Sequence, residues 1–377
     1  MINNAFGLIN TCEPTKTLKE LVNERAVGAV PFGGRYRIID FAMSNLVNSG
    51  ITRVGVLTQK NYSSLMDHLG SGAPWDLDRK NGGLSILPPY VMDSNAGIYR
   101  GSIDALKAAM DFVFNVNEKY CVLMGAHTIF NMSFEKVIAQ HVSSGADITY
   151  LYSIIDEDND TIMRDHFEDV RITQNEAGRI VDMEINPFKP NSSKVLMDCL
   201  IIEKTMLEYL VDGASSRGHT DFLRDIVLRR LDTLKIHGYK FEGYIARISS
   251  VSSYFKANLD LLNTKISDEL FDDENRIYTK VKDQVPTQYK ASSMMIDVMV
   301  ADGCIIQGDI ENSIIFRGVS IARGAKIKNC IIMQGVQIFE GAYLENVIVD
   351  KNAIITRDKK LIGVESFPAI VSKSAIV

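Results

Sequence analysis

The sequence has few cysteines, no long apolar run and no basic cluster. Its five cysteines among 377 residues are scattered, and no two have the CxxC spacing. This predicts reduced thiols rather than a disulfide framework or a zinc site. No apolar stretch approaches the ~20 residues of a membrane span, and the N-terminus lacks the charged and apolar regions of a signal peptide. We therefore expect a cytoplasmic protein that does not bind a membrane.

Positive charge is also scarce, since 41 lysine and arginine residues are outnumbered by 47 aspartate and glutamate residues. Non-specific binding to nucleic acid usually requires a basic surface, so nucleic acid is not an expected partner. The apolar share of 46% and the charged share of 23% are ordinary for a globular protein. The length is sufficient for two domains.

Up to about residue 257, short apolar runs alternate with longer amphipathic ones. Residues 52–57 and 120–124 have the pattern of buried parallel strands, and residues 102–116 have apolar positions at helical spacing. This alternation is typical of an α/β domain with a Rossmann-like, mostly parallel sheet covered on both faces. Ligands bind such sheets beyond the carboxyl ends of the strands, and we expect the functional site there.

From about residue 298, short segments rich in isoleucine and valine repeat with a period of 17. The predicted columns are Val298, Ile315, Ile332 and Val349; Cys304, Ile321, Ile338 and Ile355; Ile310, Ile327 and Leu344; and Ser313, Cys330 and Val347. Such columns predict a parallel β-helix, in which each coil is buried only by its neighbours. We assign residues 1–271 to the α/β domain, 272–289 to a linker and 290–377 to the β-helix.

The most distinctive segment is 25–41, RAVGAVPFGGRYRIIDF. Through it the sequence resembles the glucose-1-phosphate adenylyltransferase (ADP-glucose pyrophosphorylase) family. Further similar segments are 42–51, 57–59, 101–105, 221–226, 243–244 and 302–304. The resemblance covers nearly the whole chain. It implies a nucleotidyltransferase domain of the GT-A-like type followed by a left-handed parallel β-helix, and a role in synthesis of glycogen or starch.

The sequence departs from the family pattern where the family has its substrate and metal contacts. Thr17 stands in place of the arginine of a glycine-rich phosphate loop, and Val27 in place of a lysine. Ala126 and Arg247 replace two aspartates that hold Mg²⁺, and Asn186 replaces the lysine that binds glucose 1-phosphate. Phosphoryl-type transfer depends on positioning and charge neutralisation. We therefore expect no catalytic residues and no metal in this chain, with Mg²⁺ bound only by a catalytic partner.

Four other family positions are retained and are predicted to form a vestigial substrate pocket. They are Gln59, Gly101, Asp104 and Asp221. Asp221 and the nearby Asp225 would serve equally well as helix caps, so their role stays open at this point.

Three arginines match basic positions at which the resemblance places phosphorylated effectors. They are Arg35, Arg37 and Arg53, and arginine is suited to bidentate phosphate contacts. Solvated charges at strand ends, or a pair with Asp40, are equally good interpretations.

The predicted function is that of the GlgD-type subunit of the family, a catalytically impaired regulator. It would assemble with the homologous catalytic subunit into a heterotetramer, respond to a phosphorylated sugar, and also be able to self-associate. One alternative is an active adenylyltransferase with ligands relocated to Asp104, His127 or Glu184. Another is a sugar-phosphate sensor that neither catalyses nor assembles. A β-helix acyltransferase is disfavoured because no histidine follows His237.

Overall fold

The structure is a computed structural model. It describes residues 4–12, 16–89, 99–155, 169–291 and 293–377. Residues 13–15, in the loop where the family has its glycine-rich motif, therefore lie outside the described residues. No helix in the described ranges is long and apolar enough to cross a membrane.

The N-terminal domain is built on a mixed sheet. In chain order its strands are β1 (Ala5–Asn10), β2 (Pro31–Phe32), β3 (Tyr36–Arg37), β4 (Arg53–Leu57), β5 (Gly83–Leu87), β6 (Tyr120–Gly125), β7 (Thr128–Ile129), β8 (Ile148–Ile154), β9 (Val170–Gln174), β10 (Ile180–Ile185), β11 (Lys194–Glu203), β12 (Ile236–Lys240) and β13 (Ala246–Arg247). The order across the main sheet is β10-β9-β11-β6-β1-β4-β5, and β8 connects β11 to β12. The strands predicted at 52–57 and 120–124 are confirmed, as β4 and β6, and both run parallel to β1.

Helices cover both faces of this sheet. They are α1 (Ile39–Asn48), α2 (Ser63–Leu69), α3 (Ser102–Ala108), α4 (Met110–Phe114), α5 (Glu135–Ser144), α6 (Lys204–Ser215), α7 (Val251–Asp260) and α8 (Thr264–Leu270). Alternate residues of β1 face two apolar clusters: Phe6 lies in one and Ile9 in the other. The helical stretch predicted at 102–116 is confirmed as two consecutive helices, α3 and α4, which meet at a tightened turn at Ala109 with ψ of −4°.

The C-terminal domain is a parallel β-helix. Its strands are β14 (Gln288–Tyr289), β15 (Met295–Val300), β16 (Ile305–Ile306), β17 (Asp309–Ile315), β18 (Ser320–Ile321), β19 (Lys326–Ile332), β20 (Gln337–Ile338), β21 (Tyr343–Val349), β22 (Ile354–Ile355), β23 (Lys360–Ile362) and β24 (Ala369–Val371). Strands of successive coils pair in parallel, including β14 with β16. The last two residues of the segment assigned as a linker, 272–289, therefore belong to the β-helix.

The 17-residue period is confirmed between β17, β19 and β21. It fails in the first coil, and also in the last, where Val371 pairs with Val349 at an offset of 22 residues. The members predicted for the first coil, Val298 and Cys304, are wrong by two residues, because Val300 and Ile306 pair with the next coil instead. The corner after Ile306 is two residues shorter than the later corners. Gly308 permits this, since a Cβ there would lie 2.5 Å from a carbonyl oxygen of the next coil.

The two domains pack through a shared apolar cluster and a buried ion pair. Tyr254 and Phe255 of α7 contribute to the same cluster as Ile331 of the β-helix. Beside it, the guanidinium of Arg25 binds both carboxylate oxygens of Asp350 at 2.7 and 2.9 Å, with only 4% and 1% of the two side chains exposed. Breaking such a pair is costly, so it fixes the β-helix against the α/β domain.

Candidate functional site

A cleft of about 1020 Å³ opens at the carboxyl ends of the parallel strands. Its lining includes Asn10 at the end of β1, Gln59 just after β4 and Met124 near the end of β6. Because strand ends bring their following loops to one edge of the sheet, this is where the sequence pattern placed the functional site.

Two of the retained family residues shape the wall of this cleft. The side-chain amide of Gln59 donates to the carbonyl oxygen of Tyr99 at 3.2 Å. Gly101 lies so close to the carbonyl of Thr220 that any Cβ would collide with it. Both residues therefore preserve the shape of the cleft.

The two retained aspartates make structural contacts. The Asp104 carboxylate accepts from Nε of Arg100 at 2.8 Å, and hydrogen bonding to that guanidinium lowers the pKa of Asp104. Asp221 lines the cleft, and its carboxylate accepts from the backbone N–H of Arg224 at 2.7 Å. Asp225 accepts similarly from the backbone N–H of Asp221 at 3.1 Å. The structure thus shows the helix-cap geometry that was one of the two open interpretations.

Three of the substituted family positions have different surroundings. Thr17 lines the cleft, and its hydroxyl donates to the carbonyl of Ser249. Val27 is buried in the apolar cluster between the domains. Asn186 follows β10 with φ of 52°, and its side-chain oxygen accepts from the backbone N–H of Asp169 at 2.7 Å. Neither Val27 nor Asn186 is among the residues that line the cleft.

The two positions predicted to have lost metal ligands are close together in space. β7 begins two residues after Ala126 and pairs with β13, which places Arg247 opposite Thr128. Arg247 lines the cleft, and its Nε donates to Nε2 of His127 at 3.4 Å. Of the two positions where the resemblance places carboxylates, Arg247 therefore brings a guanidinium to the cleft. Ala126 is 2% exposed, lies in an apolar cluster and is not among the residues that line the cleft.

His127 and Asp198 complete the cluster around Arg247. Nδ1 of His127 lies 3.8 Å from Oδ2 of Asp198, whose carboxylate packs directly over Gly125. Burial, and next the charge of Arg247, hold the pKa of His127 well below its usual range. The imidazole is therefore neutral at pH 7, as it must be for Nε2 to accept from Arg247.

This donor set does not fit Mg²⁺, which requires several hard oxygen ligands. Asp198 offers a carboxylate, but Ala126 offers no ligand, and a guanidinium repels a cation by about 4 kcal/mol per unit charge pair at ~4 Å and an effective dielectric of ~20. Glu184, proposed as a relocated ligand, instead accepts from the backbone and side chain of Asn191. Within the described ranges, no three His, Cys, Asp or Glu side chains are grouped to hold a metal ion.

A second pocket lies between the two domains and is strongly cationic. The basic residues that line it are Arg35, Arg37, Lys280, Lys282, Arg317 and Lys351. Nη1 of Arg37 donates to the carbonyl of Ser64 at 2.6 Å, and its backbone N–H, rather than its guanidinium, donates to Asp40 at 2.9 Å. Burial, followed by the charges of Arg37 and Arg25, lowers the pKa of Lys351 to about 7.

Arg53, the third predicted effector residue, lies elsewhere. It begins β4, whereas the cleft is at the other end of that strand, and its Nε lies 3.1 Å from the carboxylate of Glu118. The structure thus brings Arg35 and Arg37 together and leaves Arg53 apart. The lysines of the pocket were missed in the sequence because they lie in no recognisable motif and join the arginines only through domain packing.

Comparison with known proteins identifies relatives along nearly the whole chain. The nucleotidyl transferase family matches residues 15–264, and a GlmU-like, C-terminal hexapeptide family matches residues 283–367. A glucose-1-phosphate adenylyltransferase of Geobacillus stearothermophilus is 36% identical over 82% of this chain and 79% of its own length. A glycogen biosynthesis protein GlgD of Bacillus subtilis is 33% identical over 99% of this chain and 97% of its own length.

Proposed function

Because this chain belongs to the glucose-1-phosphate adenylyltransferase family of nucleotidyl transferases, we propose that it is a catalytically impaired, regulatory subunit of a bacterial ADP-glucose pyrophosphorylase. It would act in the cytoplasm, in glycogen biosynthesis. The observation that carries the proposal is the guanidinium of Arg247 in the cleft, at one of the two positions where the resemblance places metal-binding aspartates. Ala126, at the other position, has no carboxylate. A nucleotidyl transfer site without these charges has lost its main means of stabilising the transition state.

The scaffold around this altered cluster supports a role in assembly. The cleft walls at Gln59 and Gly101, the register of the β-helix and the domain interface are all intact. The relative named GlgD also matches both domains at nearly full length. A fold kept around a site without catalytic groups is what an architectural or regulatory partner requires.

The alternative of an active enzyme with relocated ligands has less support. Its candidates Asp104 and Glu184 are engaged by Arg100 and Asn191, and His127 accepts from Arg247. A metal-dependent release of pyrophosphate by the isolated chain would favour that alternative.

The direct test is assembly with the catalytic relative of the same organism. After co-expression, the tagged chain is expected to retrieve that relative as a heterotetramer. We expect the affinity of the catalytic relative for its activator to change by about 5–150-fold on assembly, which is the usual range of coupling between sites. Retrieval of the tagged chain alone, together with unchanged kinetics on mixing at micromolar concentration, would contradict the proposal. A monomer that binds sugar phosphate would instead support the sensor alternative.

The cationic pocket between the domains is the proposed site for a phosphorylated sugar effector. Arg35→Ala combined with Lys351→Met should weaken binding of phosphorylated sugars at least about tenfold, because each removes a charge-assisted contact. Fluorescence of the single tryptophan can report binding, since the ring of Trp75 lies 5.9 Å from that of His68 in the pocket wall. Arg53→Ala is the matched control and should leave binding unchanged.

The same pocket should bind anions in a pH-dependent way. With a pKa of about 7, Lys351 is charged below that pH and loses its charge above it. Sulfate, whose own charge is constant in this range, should therefore bind more weakly as the pH rises from about 6 to about 8. An equal pH dependence in the Lys351→Met variant would show that another group is responsible.

A further inference from the structure

The cluster in the cleft fixes a guanidinium group at a defined place. The pairing of β7 with β13 positions the backbone of Arg247, and Nε2 of His127 accepts from its Nε. His127 is itself immobilised, being 1% exposed, with its carbonyl accepting from the backbone N–H of Ile248 at 2.8 Å. Asp198, on the other side of the imidazole, is 3.8 Å from Nδ1. Arg247 is therefore held through its backbone by β7 and through its Nε by His127 while it lines the cleft.

The charges of the side chains that line the cleft favour the binding of a polyanionic ligand. Its lining contains four basic side chains and two carboxylates, which are Arg25, Lys60, Arg100, Arg247, Asp198 and Asp221. Arg25 and Arg100 are already paired with carboxylates. Lys60 and Arg247 bring two further cationic groups to the lining, so its basic side chains outnumber its carboxylates.

We propose that Arg247 takes the place of a metal ion, and that the cleft binds a nucleoside polyphosphate ester without a divalent cation. ATP and a nucleoside diphosphate sugar share the required chemistry. The inference rests on the proposed function, because it takes this cleft to be the nucleotide cleft of the family. Ala126 and Arg247 disfavour a metal-bound phosphate, whereas a metal-free phosphate gains a planar, bidentate donor.

The test measures binding to the intact isolated chain by calorimetry, with ATP and ADP-glucose titrated separately in EDTA and in excess Mg²⁺. ATP should bind about tenfold or more tightly in EDTA than with Mg²⁺, since Mg²⁺ both neutralises the phosphates and approaches Arg247. ADP-glucose carries fewer phosphate charges, so its affinity should depend less on Mg²⁺. The two titrations show which ligand the cleft prefers.

Substitutions then assign the effect to Arg247. Arg247→Ala should weaken ATP binding in EDTA by about 10- to 100-fold, as expected for a hydrogen bond between charged groups. Arg247→Lys should keep the preference for metal-free ATP at lower affinity, because the charge remains but the planar donor is lost. Arg357→Ala is the matched control, since that arginine is 72% exposed and pairs with Glu340 on the β-helix. This substitution should change neither the affinity for ATP nor its dependence on Mg²⁺.

A merely structural role for Arg247 predicts a different outcome. Arg247→Ala would then lower the melting temperature without changing the ratio of ATP affinities in EDTA and Mg²⁺. That result would overturn the inference, as would Mg²⁺-dependent binding or no binding of either nucleotide. If the chain still assembles with its catalytic relative in any of these cases, the proposed function stands and only this inference fails.

Discussion

The isolated chain, given ATP, glucose 1-phosphate and Mg²⁺, is expected to form ADP-glucose at less than about a thousandth of the rate of a catalytic relative. Losing both carboxylates at Ala126 and Arg247 should remove at least about 4 kcal/mol of transition-state stabilisation, and each 1.36 kcal/mol is about a factor of ten in rate. Thr17 lines the same cleft, and because the resemblance places an arginine at this position, we expect it to add to the loss.

The measurement is pyrophosphate release by protein expressed in a host that lacks its own adenylyltransferase. A catalytic relative prepared in the same host serves as the positive control. A turnover number within tenfold of the usual range for enzymes, about 1–10³ s⁻¹, would show that other groups in the chain perform the chemistry.

Two restoring substitutions make the prediction more specific. Ala126→Asp combined with Arg247→Asp would put one carboxylate just before β7 and the other on β13, which pairs with β7. Mg²⁺ affinity should therefore return before activity does, because Thr17 and the substituted phosphate loop remain unchanged. Full activity in this double variant would mean that the loop contributes little to the reaction.

Local patterns in the sequence were sufficient to predict the main architecture. The apolar runs of β4 and β6 and the columns of the β-helix are each determined by contacts between neighbouring or periodically spaced residues. The first coil was misassigned because the short corner at Gly308 changes the offset between coils. Periodicity alone does not reveal a deletion of two residues at a corner. The same period also occurs in Asn312, Asn329 and Asn346, which form a side-chain ladder that the apolar columns did not indicate.

The candidate site was less predictable because it depends on contacts between distant parts of the chain. Arg247 comes opposite Thr128, two residues after Ala126, only through the two-residue ladder of β7 and β13. Lys351 joins Arg35 only because the β-helix packs against the α/β domain. Val27, by contrast, was expected near phosphate but is buried between the domains. Family resemblance locates a position in the alignment, while the direction of its side chain depends on packing.

The largest change in stability is expected on breaking the ion pair between Arg25 and Asp350. Asp350→Ala leaves the guanidinium buried without its carboxylate, which should lower the free energy of unfolding by about 3–5 kcal/mol. Chemical denaturation of the full chain measures this. Glu340→Ala, which breaks the exposed pair with Arg357, is the matched control and should cost at most about 1 kcal/mol.

A second variant separates the cost of the unpaired charge from the loss of packing. Arg25→Met with Asp350→Leu replaces both charges by apolar side chains of similar size, and such replacements are often neutral or stabilising. We therefore expect the double variant to regain most of the stability lost in Asp350→Ala. If it is as unstable as the single variant, the two side chains act through specific hydrogen bonds, such as that from the Lys351 backbone N–H to Asp350 at 2.6 Å.

The same variants test whether the two pockets are coupled. Arg25 lines the cleft, and Lys351, next to Asp350 in the chain, lines the cationic pocket. The two pockets are thus connected through the ion pair between Arg25 and Asp350 and the peptide bond between Asp350 and Lys351. In the double variant, which keeps the fold, an anion in the cationic pocket should no longer change nucleotide affinity in the cleft, whereas in the original chain it should. Equal responses in the two proteins would show that any coupling follows another route through the domain interface.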